Sequence, residues 1–331
     1  MFGLFLCSFL LLGQGFSQEM VGKGLNMAHA KLEGYNHLLK LIVSENEMSR
    51  KGQVARVAYP LGTPRPDYRV TSKDVRYFLK HSLLSRCTAS QLQTNSCFCE
   101  GRFDEAKVFR NETLGFQTVV AADPINKLIV ISYQMPLSEK NWESNNKNFL
   151  VSHPAIKGRE KVHRGHLEDA LSIHSQMKPA VLAMFKDPEY QNYKLHVTGY
   201  SFGASIAAIS LPLWLKFIKE NELRTKAQLY SYSGPRPGNL EFAKYLESLG
   251  VPIVRYARNG DVIPHIPDQS AGFSQVGQEF YDNNPILLKK DFIKCNPNTM
   301  EDDQCSLKDT KFLARNHYSP LHAPLPIPPY C

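Results

Sequence analysis

A serine with the surroundings of a nucleophile lies in the central part of the chain. An apolar run, residues 195–197, leads toward Gly199-Tyr200-Ser201-Phe202-Gly203, which is a G-x-S-x-G pattern followed by small residues. Between a strand and a helix, this pattern is typical of a strained turn that exposes a serine hydroxyl, because a side chain at either glycine would collide across the turn. We therefore predict that Ser201 is a nucleophile. The alternative is an ordinary joint between a strand and a helix.

The hydroxyl of Ser201 needs a base, and the base needs an acid to orient it, because a serine hydroxyl is a poor nucleophile at neutral pH. Folds built on this turn have the order Ser, Asp, His along the chain. Asp261 follows a strand-like run, residues 253–257, and His317 lies in a loop near the C-terminus. The sequence thus offers a triad for acyl transfer. A plain turn at Asp261 and a surface position for His317 are the alternatives.

From about residue 67 to its end, the chain resembles the class 3 fungal lipases, in particular the secreted yeast triacylglycerol lipases. Four segments carry the resemblance in the family's order: residues 162–166 (His-x-Gly-Phe in the family), 198–203 (T-G-H-S-L-G), 233–239 (G-x-P-R-x-G-N) and 261–267 (D-x-V-P-x-x-P). The resemblance implies Ser201 as nucleophile, Asp261 as orienting acid and His317 as general base. His322 is a second candidate for the base.

One turn departs from the family pattern. The family has Arg-Gly-Ser/Thr after a central strand, and its Ser or Thr helps to form the oxyanion hole. Here the strand-like residues 128–131 lead into Ser132-Tyr133-Gln134. Aligned with the Ser/Thr, the backbone N–H of Gln134 is expected to act as an oxyanion donor together with that of Phe202. Losing one such donor typically costs about 100- to 1,000-fold in turnover.

The resemblance also implies a mobile lid between the oxyanion strand and residues 162–166. Here this interval is residues 136–152, which are mostly polar in the middle and include Trp142. A lid exposes an apolar face to lipid when it opens. The polar composition leaves a working lid and a solvated loop as alternatives.

Strands and helices are predicted to alternate along the chain. An antiparallel pair of strands is expected first, followed by helices and strands around Ser201: strands at residues 116–121, 128–131, 228–233 and 253–257, and helices at about 165–186, 202–219 and 240–249. This order predicts a mostly parallel, mixed central sheet flanked by helices, which is an α/β-hydrolase architecture. The site residues are then expected on loops at the C-terminal ends of the strands.

Two segments are expected to precede the hydrolase-like domain, residues 67–331. Residues 1–17 hold a short apolar stretch that ends in small residues, which predicts a secretory signal peptide and an extracellular product. Residues 18–66 combine a helical apolar stripe with a Pro/Gly-containing link, so they form either a propeptide or a helix that stays packed on the domain. No later segment has the uncharged length that a transmembrane helix needs.

The cysteines fit an exported chain. Seven are present, and Cys7 lies in the predicted signal peptide, which leaves an even number for pairing in an oxidising compartment. Spacing alone does not choose the pairs. The resemblance to the yeast lipases implies three disulfides: Cys87 with Cys331, Cys295 with Cys305, and Cys97 with Cys99. A zinc site is the competing use of Cys97 and Cys99, but no matching His/Cys pair has finger-like spacing.

Charge and composition limit the partners. The chain has 39 Lys and Arg against 31 Asp and Glu, for a formal charge of +8, and its basic residues are scattered. This pattern disfavours nucleic-acid binding and favours contact with anionic lipid or cell wall. Asn111 begins an Asn-Glu-Thr sequon and is a glycosylation site in an exported chain. We predict neither a metal nor a cofactor.

These inferences converge on a secreted serine carboxylic ester hydrolase that forms an acyl-enzyme on Ser201. The resemblance implies a triacylglycerol lipase. Within the enzymes, the alternatives are a phospholipase A1 and an esterase for soluble esters. The alternative of another class is a lipase-like binding protein with weak or no activity.

Overall fold

A mixed eight-stranded sheet forms the centre of the molecule. The computed structural model describes residues 36, 38–48, 56–62, 65–93, 103–136, 139–284 and 291–318. Its strands are β1 (Asp104–Asn111), β2 (Phe116–Asp123), β3 (Leu128–Tyr133), β4 (Leu150–Ser152), β5 (Lys161–His163), β6 (Lys194–Tyr200), β7 (Ala227–Tyr232), β8 (Ile253–Arg258), β9 (Gln278–Asp282) and β10 (Ile293–Lys294). Its helices are α1 (residues 38–48), α2 (Ser72–Leu83), α3 (Ala89–Gln93), α4 (Glu139–Asn146), α5 (Arg164–Lys186), α6 (Phe202–Glu220), α7 (Leu240–Ser248) and α8 (Ala314–Tyr318).

The central strands of the sheet are parallel and its edges are antiparallel. Their spatial order is β1-β2-β3-β6-β7-β8-β9-β10, and the five strands from β3 to β9 pair in parallel. The pairs β1–β2, β2–β3 and β9–β10 are antiparallel. Strands β4 and β5 form a separate hairpin. The predicted mostly parallel, mixed sheet of an α/β hydrolase is therefore confirmed.

Alternating residues of the central strands divide between two cores. In β6, Leu195 and Val197 face the core formed with α5 and α6, whereas Tyr200 faces the core formed with α2. In β3, Ile129 packs in the first core and Val130 lies on the opposite face. The side chains on both faces of the sheet are buried, because helices cover a parallel sheet on both sides. This arrangement fixes the C-terminal ends of β6 and β8, from which the site loops emerge.

Helix α6 is the central helix of the first core. It is long and apolar enough to match a membrane span, and 83% of its apolar window is buried inside the protein. No second helix in the described part of the chain meets that test.

The N-terminal segment contacts the hydrolase-like domain at two of its described stretches. Leu38 and Ile42 of α1 join an apolar cluster with residues of the domain. The backbone of Val57 pairs with the Gln269 amide through two hydrogen bonds, of 2.7 and 2.9 Å. Residues 1–17 lie outside the described residues, so the signal peptide stays a prediction.

One of the implied disulfides lies within the described residues. Cys295 and Cys305 are bonded to each other. Cys87 is also disulfide-bonded, but its expected partner Cys331 lies outside the described residues, as do Cys97 and Cys99. Those two pairings therefore stay predictions. Glu279 lies beside the Cys295–Cys305 pair, and sulfurs bonded to each other offer no thiolate to a metal.

Candidate active site

Ser201 lies on a strained turn between β6 and α6. Its backbone angles, φ 58° and ψ −132°, fall in a region that residues with a side chain rarely adopt. Its N–H donates a 2.8 Å hydrogen bond to the Tyr232 carbonyl of the neighbouring strand β7, and its carbonyl accepts from the Ala204 N–H at 2.9 Å. These bonds hold the serine in the strained conformation at the N-terminal end of α6.

The two glycines of the G-x-S-x-G pattern let three backbone segments meet at this turn. A Cβ on Gly199 would lie 2.3 Å from the Gly203 carbonyl carbon, and a Cβ on Gly203 would lie 2.3 Å from the Tyr133 carbonyl oxygen. Both obstacles are backbone atoms, which cannot rotate away. The predicted steric reason for the glycines therefore agrees with the packing.

The structure brings together the three predicted residues, Ser201, Asp261 and His317. His317 Nε2 is 2.9 Å from the Ser201 hydroxyl oxygen, and His317 Nδ1 is 3.0 Å from each Asp261 carboxylate oxygen. With the proton on Nδ1, His317 donates to Asp261 and accepts from the serine hydroxyl. All three side chains are buried. This arrangement can deprotonate Ser201 as it attacks an acyl carbon.

Asp261 is fixed by the loop that leaves β8. Its carboxylate accepts a 3.0 Å hydrogen bond from the Ile263 N–H. The preceding Gly260 has φ 71° and donates its N–H to the Asp309 carboxylate at 3.0 Å. Burial raises the pKa of Asp309 to about 6, and Tyr281, which donates to the same carboxylate, opposes this shift.

His317 is held by the short helix α8 and by two backbone contacts. The Leu313 N–H donates to the Gly260 carbonyl at 3.0 Å, which joins the histidine loop to the aspartate loop. The Tyr200 hydroxyl donates to the His317 carbonyl, which joins the histidine to the residue before the nucleophile. Sequence reasoning missed both contacts, because each depends on loops that meet only in the folded chain. His322 lies outside the described residues.

The expected oxyanion donors have different surroundings. Phe202 is the first residue of α6, and the N–H groups of a first helical turn have no acceptor inside the helix. The Gln134 N–H instead donates to the Gln117 carbonyl at 3.2 Å, since the β2–β3 pairing continues for one more residue. This bond contradicts the expectation that the Gln134 backbone N–H is available to an oxyanion. Gln134 Oε1 is buried without a hydrogen-bond partner.

The interval expected to hold a lid or a solvated loop forms helix α4 over residues 139–146. Its Asn141 amide donates to the Leu114 and Gly115 carbonyls at 2.9 and 3.1 Å, and its Ser144 hydroxyl donates to Asp169 at 3.0 Å. Trp142 is buried edge-on against Phe202, with ring centroids 5.1 Å apart. The solvated-loop alternative is therefore wrong, because polar contacts and the buried indole hold this segment to the domain.

Residues of two motifs that carried the resemblance pack against the elements that hold the site. The rings of His163 and His166 stack with centroids 3.7 Å apart, and His166 Nδ1 is 2.8 Å from the Ser205 hydroxyl of α6. Burial lowers the pKa of His166 well below its usual value, so this ring is neutral. Arg236 pairs with Glu301 through two hydrogen bonds, of 3.0 and 2.8 Å. These residues position the turn at Ser201 and its neighbouring loops.

Sequence comparisons agree with this site. A family model described as Lipase (class 3) matches residues 130–271. The lipase of Rhizomucor miehei is 30% identical over 223 residues, which cover 65% of this chain and only 60% of that lipase. The secreted mono- and diacylglycerol lipase A of Penicillium cyclopium is 27% identical over 180 residues, which cover 53% of each chain.

The fold and the triad geometry define an α/β hydrolase. A solved triacylglycerol lipase, whose catalytic centre is a serine protease triad, superposes with a TM-score of 0.64 at 26% identity, covering 75% of this chain and 92% of that one. The match of residues 130–271 to the class 3 lipase model and the similarity to the Rhizomucor lipase support a likeness of this chain to the class 3 lipases. The resemblance stated from its motifs is thereby confirmed.

Proposed function

We propose that this protein hydrolyses carboxylic esters of lipids through an acyl-enzyme on Ser201. The observation that carries the proposal is the hydrogen-bonded series from Ser201 through His317 to Asp261, with all contacts between 2.9 and 3.0 Å. The similarity to class 3 lipases supports the same chemistry, since the compared relatives are described as lipases.

In the acylation half, His317 Nε2 takes the hydroxyl proton while Ser201 Oγ bonds to the acyl carbon. The carbonyl oxygen becomes an oxyanion, and Asp261 stabilises the imidazolium that forms. The proton on Nε2 then passes to the leaving alkoxide as the C–O bond breaks, which releases an alcohol. In deacylation the same nitrogen takes a proton from water while the water oxygen bonds to the acyl carbon. The tetrahedral intermediate then collapses, the bond from the acyl carbon to Ser201 Oγ breaks, the proton on Nε2 returns to Ser201, and the fatty acid leaves.

The oxyanion is stabilised by the Phe202 N–H and by the side-chain amide of Gln134. The Phe202 N–H belongs to the first turn of α6, where the helix dipole also favours negative charge. The Gln134 backbone N–H is occupied, and its side chain is buried with an Oε1 that has no hydrogen-bond partner, so we assign the second donor role to the side-chain Nε2–H group. A side-chain donor of this kind replaces the Ser or Thr of the family pattern.

The substrate we propose is a triacylglycerol, with mono- and diacylglycerols as the next candidates. The solved relative described as a triacylglycerol lipase supports the first, and the Penicillium relative supports the second. Fatty-acid release should be measured from emulsified triolein, dioleoylglycerol, phosphatidylcholine and p-nitrophenyl butyrate, with Ser201→Ala as control. Release from phosphatidylcholine alone indicates a phospholipase A1, and release from butyrate alone indicates an esterase. No release in any assay contradicts the proposal.

We also propose that the protein is secreted, with residues 1–17 removed and Asn111 glycosylated. The Cys295–Cys305 disulfide supports an oxidising compartment. Asn111 ends β1 at a turn, and the two residues after it are exposed to solvent. Mass spectrometry of protein recovered from culture medium, before and after glycosidase treatment, tests these points. Intracellular retention of a chain that still begins at Met1 would contradict them.

A further inference from the structure

A buried arginine beside the triad lacks a counter-charge. Arg86 follows helix α2, its side chain is mostly buried, and its Nε has no hydrogen-bond partner. Within the described residues, its guanidinium forms neither an ion pair nor a hydrogen bond. Three other buried arginine side chains, Arg65, Arg236 and Arg255, each form an ion pair with a glutamate. Because burying an unpaired charge is unfavourable, the exception at Arg86 points to an anionic ligand.

The backbone at Arg86 is fixed next to the oxyanion turn. The side-chain amide of Gln117 donates to the carbonyls of Ser85 and Cys87, the two residues that flank Arg86, at 2.7 and 2.9 Å. The main-chain carbonyl of the same Gln117 accepts the 3.2 Å hydrogen bond from the Gln134 N–H. One glutamine therefore joins the backbone at Arg86 to the backbone at Gln134, at the end of the sheet where the triad lies.

The positive charge of Arg86 lies on the His317 side of the triad. The phenol groups of Tyr200 and Tyr318 are within electrostatic range of the guanidinium. Both rings flank the catalytic base, with centroids 5.4 and 5.5 Å from that of His317. Burial lowers the pKa of Arg86, and the two phenols oppose this shift. A guanidinium nevertheless stays protonated, and neutral phenols do not balance its charge.

The part of the substrate that comes nearest to His317 is its alcohol part. His317 Nε2 passes its proton to the leaving alkoxide, so that oxygen must lie beside the imidazole. The alcohol part of a triacylglycerol is neutral, whereas that of a glycerophospholipid carries a phosphate that only a short glycerol chain separates from the ester oxygen. A guanidinium binds a phosphate through two parallel hydrogen bonds. The uncompensated charge of Arg86 is therefore complementary to a phospholipid and has no partner in a triacylglycerol.

We propose that Arg86 is a specificity-determining residue that binds the phosphate of a glycerophospholipid while the triad hydrolyses the acyl ester. This inference rests on the proposed function and adds a substrate class to it. The bonds that form and break are those of the proposed hydrolysis, and Arg86 neither gives nor takes a proton. The competing anion is the carboxylate of the released fatty acid, which forms on the acyl carbon rather than on the alcohol part.

The first test compares two substrates that differ only in the phosphate. Full-length protein is assayed on dihexanoylphosphatidic acid and on dihexanoylglycerol, both below their critical micelle concentrations so that no charged surface contributes. Arg86→Gln should lower kcat/KM for the phosphatidic acid by about 10- to 100-fold and leave that for the diacylglycerol within about threefold. Arg86→Lys, which keeps the charge, should restore part of the loss.

The matched control for this test is Arg224→Gln. Arg224 is exposed and precedes β7, at the end of the sheet opposite the triad, so its variant loses the same charge without touching the site. It should leave both values of kcat/KM unchanged. An equal loss on both substrates in Arg86→Gln, or no loss on the phosphatidic acid, overturns the proposal.

The second test measures binding without catalysis. Full-length protein carrying Ser201→Ala is titrated calorimetrically with dihexanoylphosphatidic acid and with hexanoate, with and without Arg86→Gln. The Kd for the phosphatidic acid should rise by about 10-fold or more in Arg86→Gln, and that for hexanoate should stay within about twofold. Weakened binding of hexanoate alone would assign the cation to the released carboxylate and overturn the proposal. Arg86-dependent binding of the phosphatidic acid, together with a parent protein that hydrolyses neither substrate, supports the phosphate site and contradicts the proposed hydrolase.

The third test separates a binding role from a structural one. Without ligand, Arg86→Gln should melt at a temperature at least as high as the parent, because it removes a buried charge that has no partner. Arg236→Gln is the contrast, since it breaks the ion pair with Glu301 and should lower the melting temperature. A melting temperature of Arg86→Gln that falls as far as that of Arg236→Gln would mean that the guanidinium stabilises the fold, and it would overturn the proposal.

Discussion

Tyr200 and His317 are joined by a hydrogen bond from the tyrosine hydroxyl to the histidine main-chain carbonyl. The residue directly before the nucleophile thereby holds the segment that carries the base. Both groups are buried, and burial raises the pKa of Tyr200 well above its usual value, so the phenol stays protonated as a donor. The segments that carry the nucleophile and its base are thus joined by this hydrogen bond as well as by the contact between the Ser201 and His317 side chains.

Removing this hydroxyl with Tyr200→Phe should lower kcat by about 10-fold or more, because a base displaced by a fraction of an ångström loses its alignment. It should also destabilise the fold by about 1–3 kcal/mol, since the His317 carbonyl loses its partner. Tyr232→Phe is the matched control, because that hydroxyl donates to the Val75 carbonyl at 2.7 Å, away from the triad. Similar loss of stability but unchanged kcat is expected for the control. Equal kcat values for both variants would refute the role of Tyr200.

Replacing Gln134 tests the oxyanion hole. Gln134→Ala and Gln134→Glu both remove the amide donor, so each should lower kcat by about 100- to 1,000-fold with little change in KM. Steady-state kinetics on p-nitrophenyl butyrate separate the two constants. Retention of kcat within about threefold in both variants would exclude the side chain as a donor.

The backbone of Gly203 lies so close to the backbone of Tyr133 that no side chain fits at position 203. Gly203→Ala places a Cβ 2.3 Å from the Tyr133 carbonyl oxygen, so it should destabilise the protein by about 2–4 kcal/mol and abolish activity. Gly62→Ala is the control, since a Cβ there meets nothing within 4 Å. Thermal unfolding of the two variants beside the parent is the measurement. A Gly203→Ala protein as stable as the control would contradict the close packing of Gly203 against Tyr133.

A buried His81–Asp123 pair gives stability a specific dependence on pH. Burial raises the pKa of Asp123, but His81, whose Nε2 lies 3.0 Å from the carboxylate, and the hydrogen bond from Asn126 outweigh it and hold the pKa at about 2. Because this folded-state pKa lies below the unfolded value near 3.8, the stabilisation is present at neutral pH. It is lost as the pH falls from about 4 to about 2.

The matching experiment compares Asp123→Asn with the parent by urea unfolding between pH 7 and pH 2.5. After allowance for solvent screening, the parent should be more stable by about 1–2 kcal/mol at pH 7, and this difference should shrink below pH 4. Asp303→Asn, at an exposed carboxylate, should leave the unfolding free energy unchanged at every pH. A difference that persists undiminished at pH 2.5 would rule out this ionisation as its source.

Local patterns predicted the parts of the site that depend on local geometry. Ser201 follows from its glycines, and β6, α6 and β8 follow from apolar periodicity. Strand β1 was not predicted because its residues, Asp-Glu-Ala-Lys-Val-Phe-Arg-Asn, lack a regular alternation of apolar and polar side chains, and at the sheet edge both of its faces are partly exposed. Helix α2 was also missed, although the capping box between Thr71 and Asp74 is a local signal for its start.

The contacts that were missed depend on register and on distant loops. Gln134 loses its free N–H only because β2 pairs with β3 one residue beyond the strand ends, and a single-residue change of register would free it. The position of α1 over Phe202 depends on segments far apart in the chain. The sequence left a propeptide and a packed helix as equal alternatives, because an amphipathic stripe shows which face is apolar and not which surface it covers.

Covalent capture of Ser201 tests the central claim most directly. The folded, oxidised protein is treated with a fluorophosphonate, beside Ser201→Ala and His317→Ala. Peptide mass spectrometry should locate the adduct on Ser201 of the parent, with no adduct in Ser201→Ala and formation slower by about 1,000-fold or more in His317→Ala. A folded parent protein whose Ser201 stays unmodified would contradict the account.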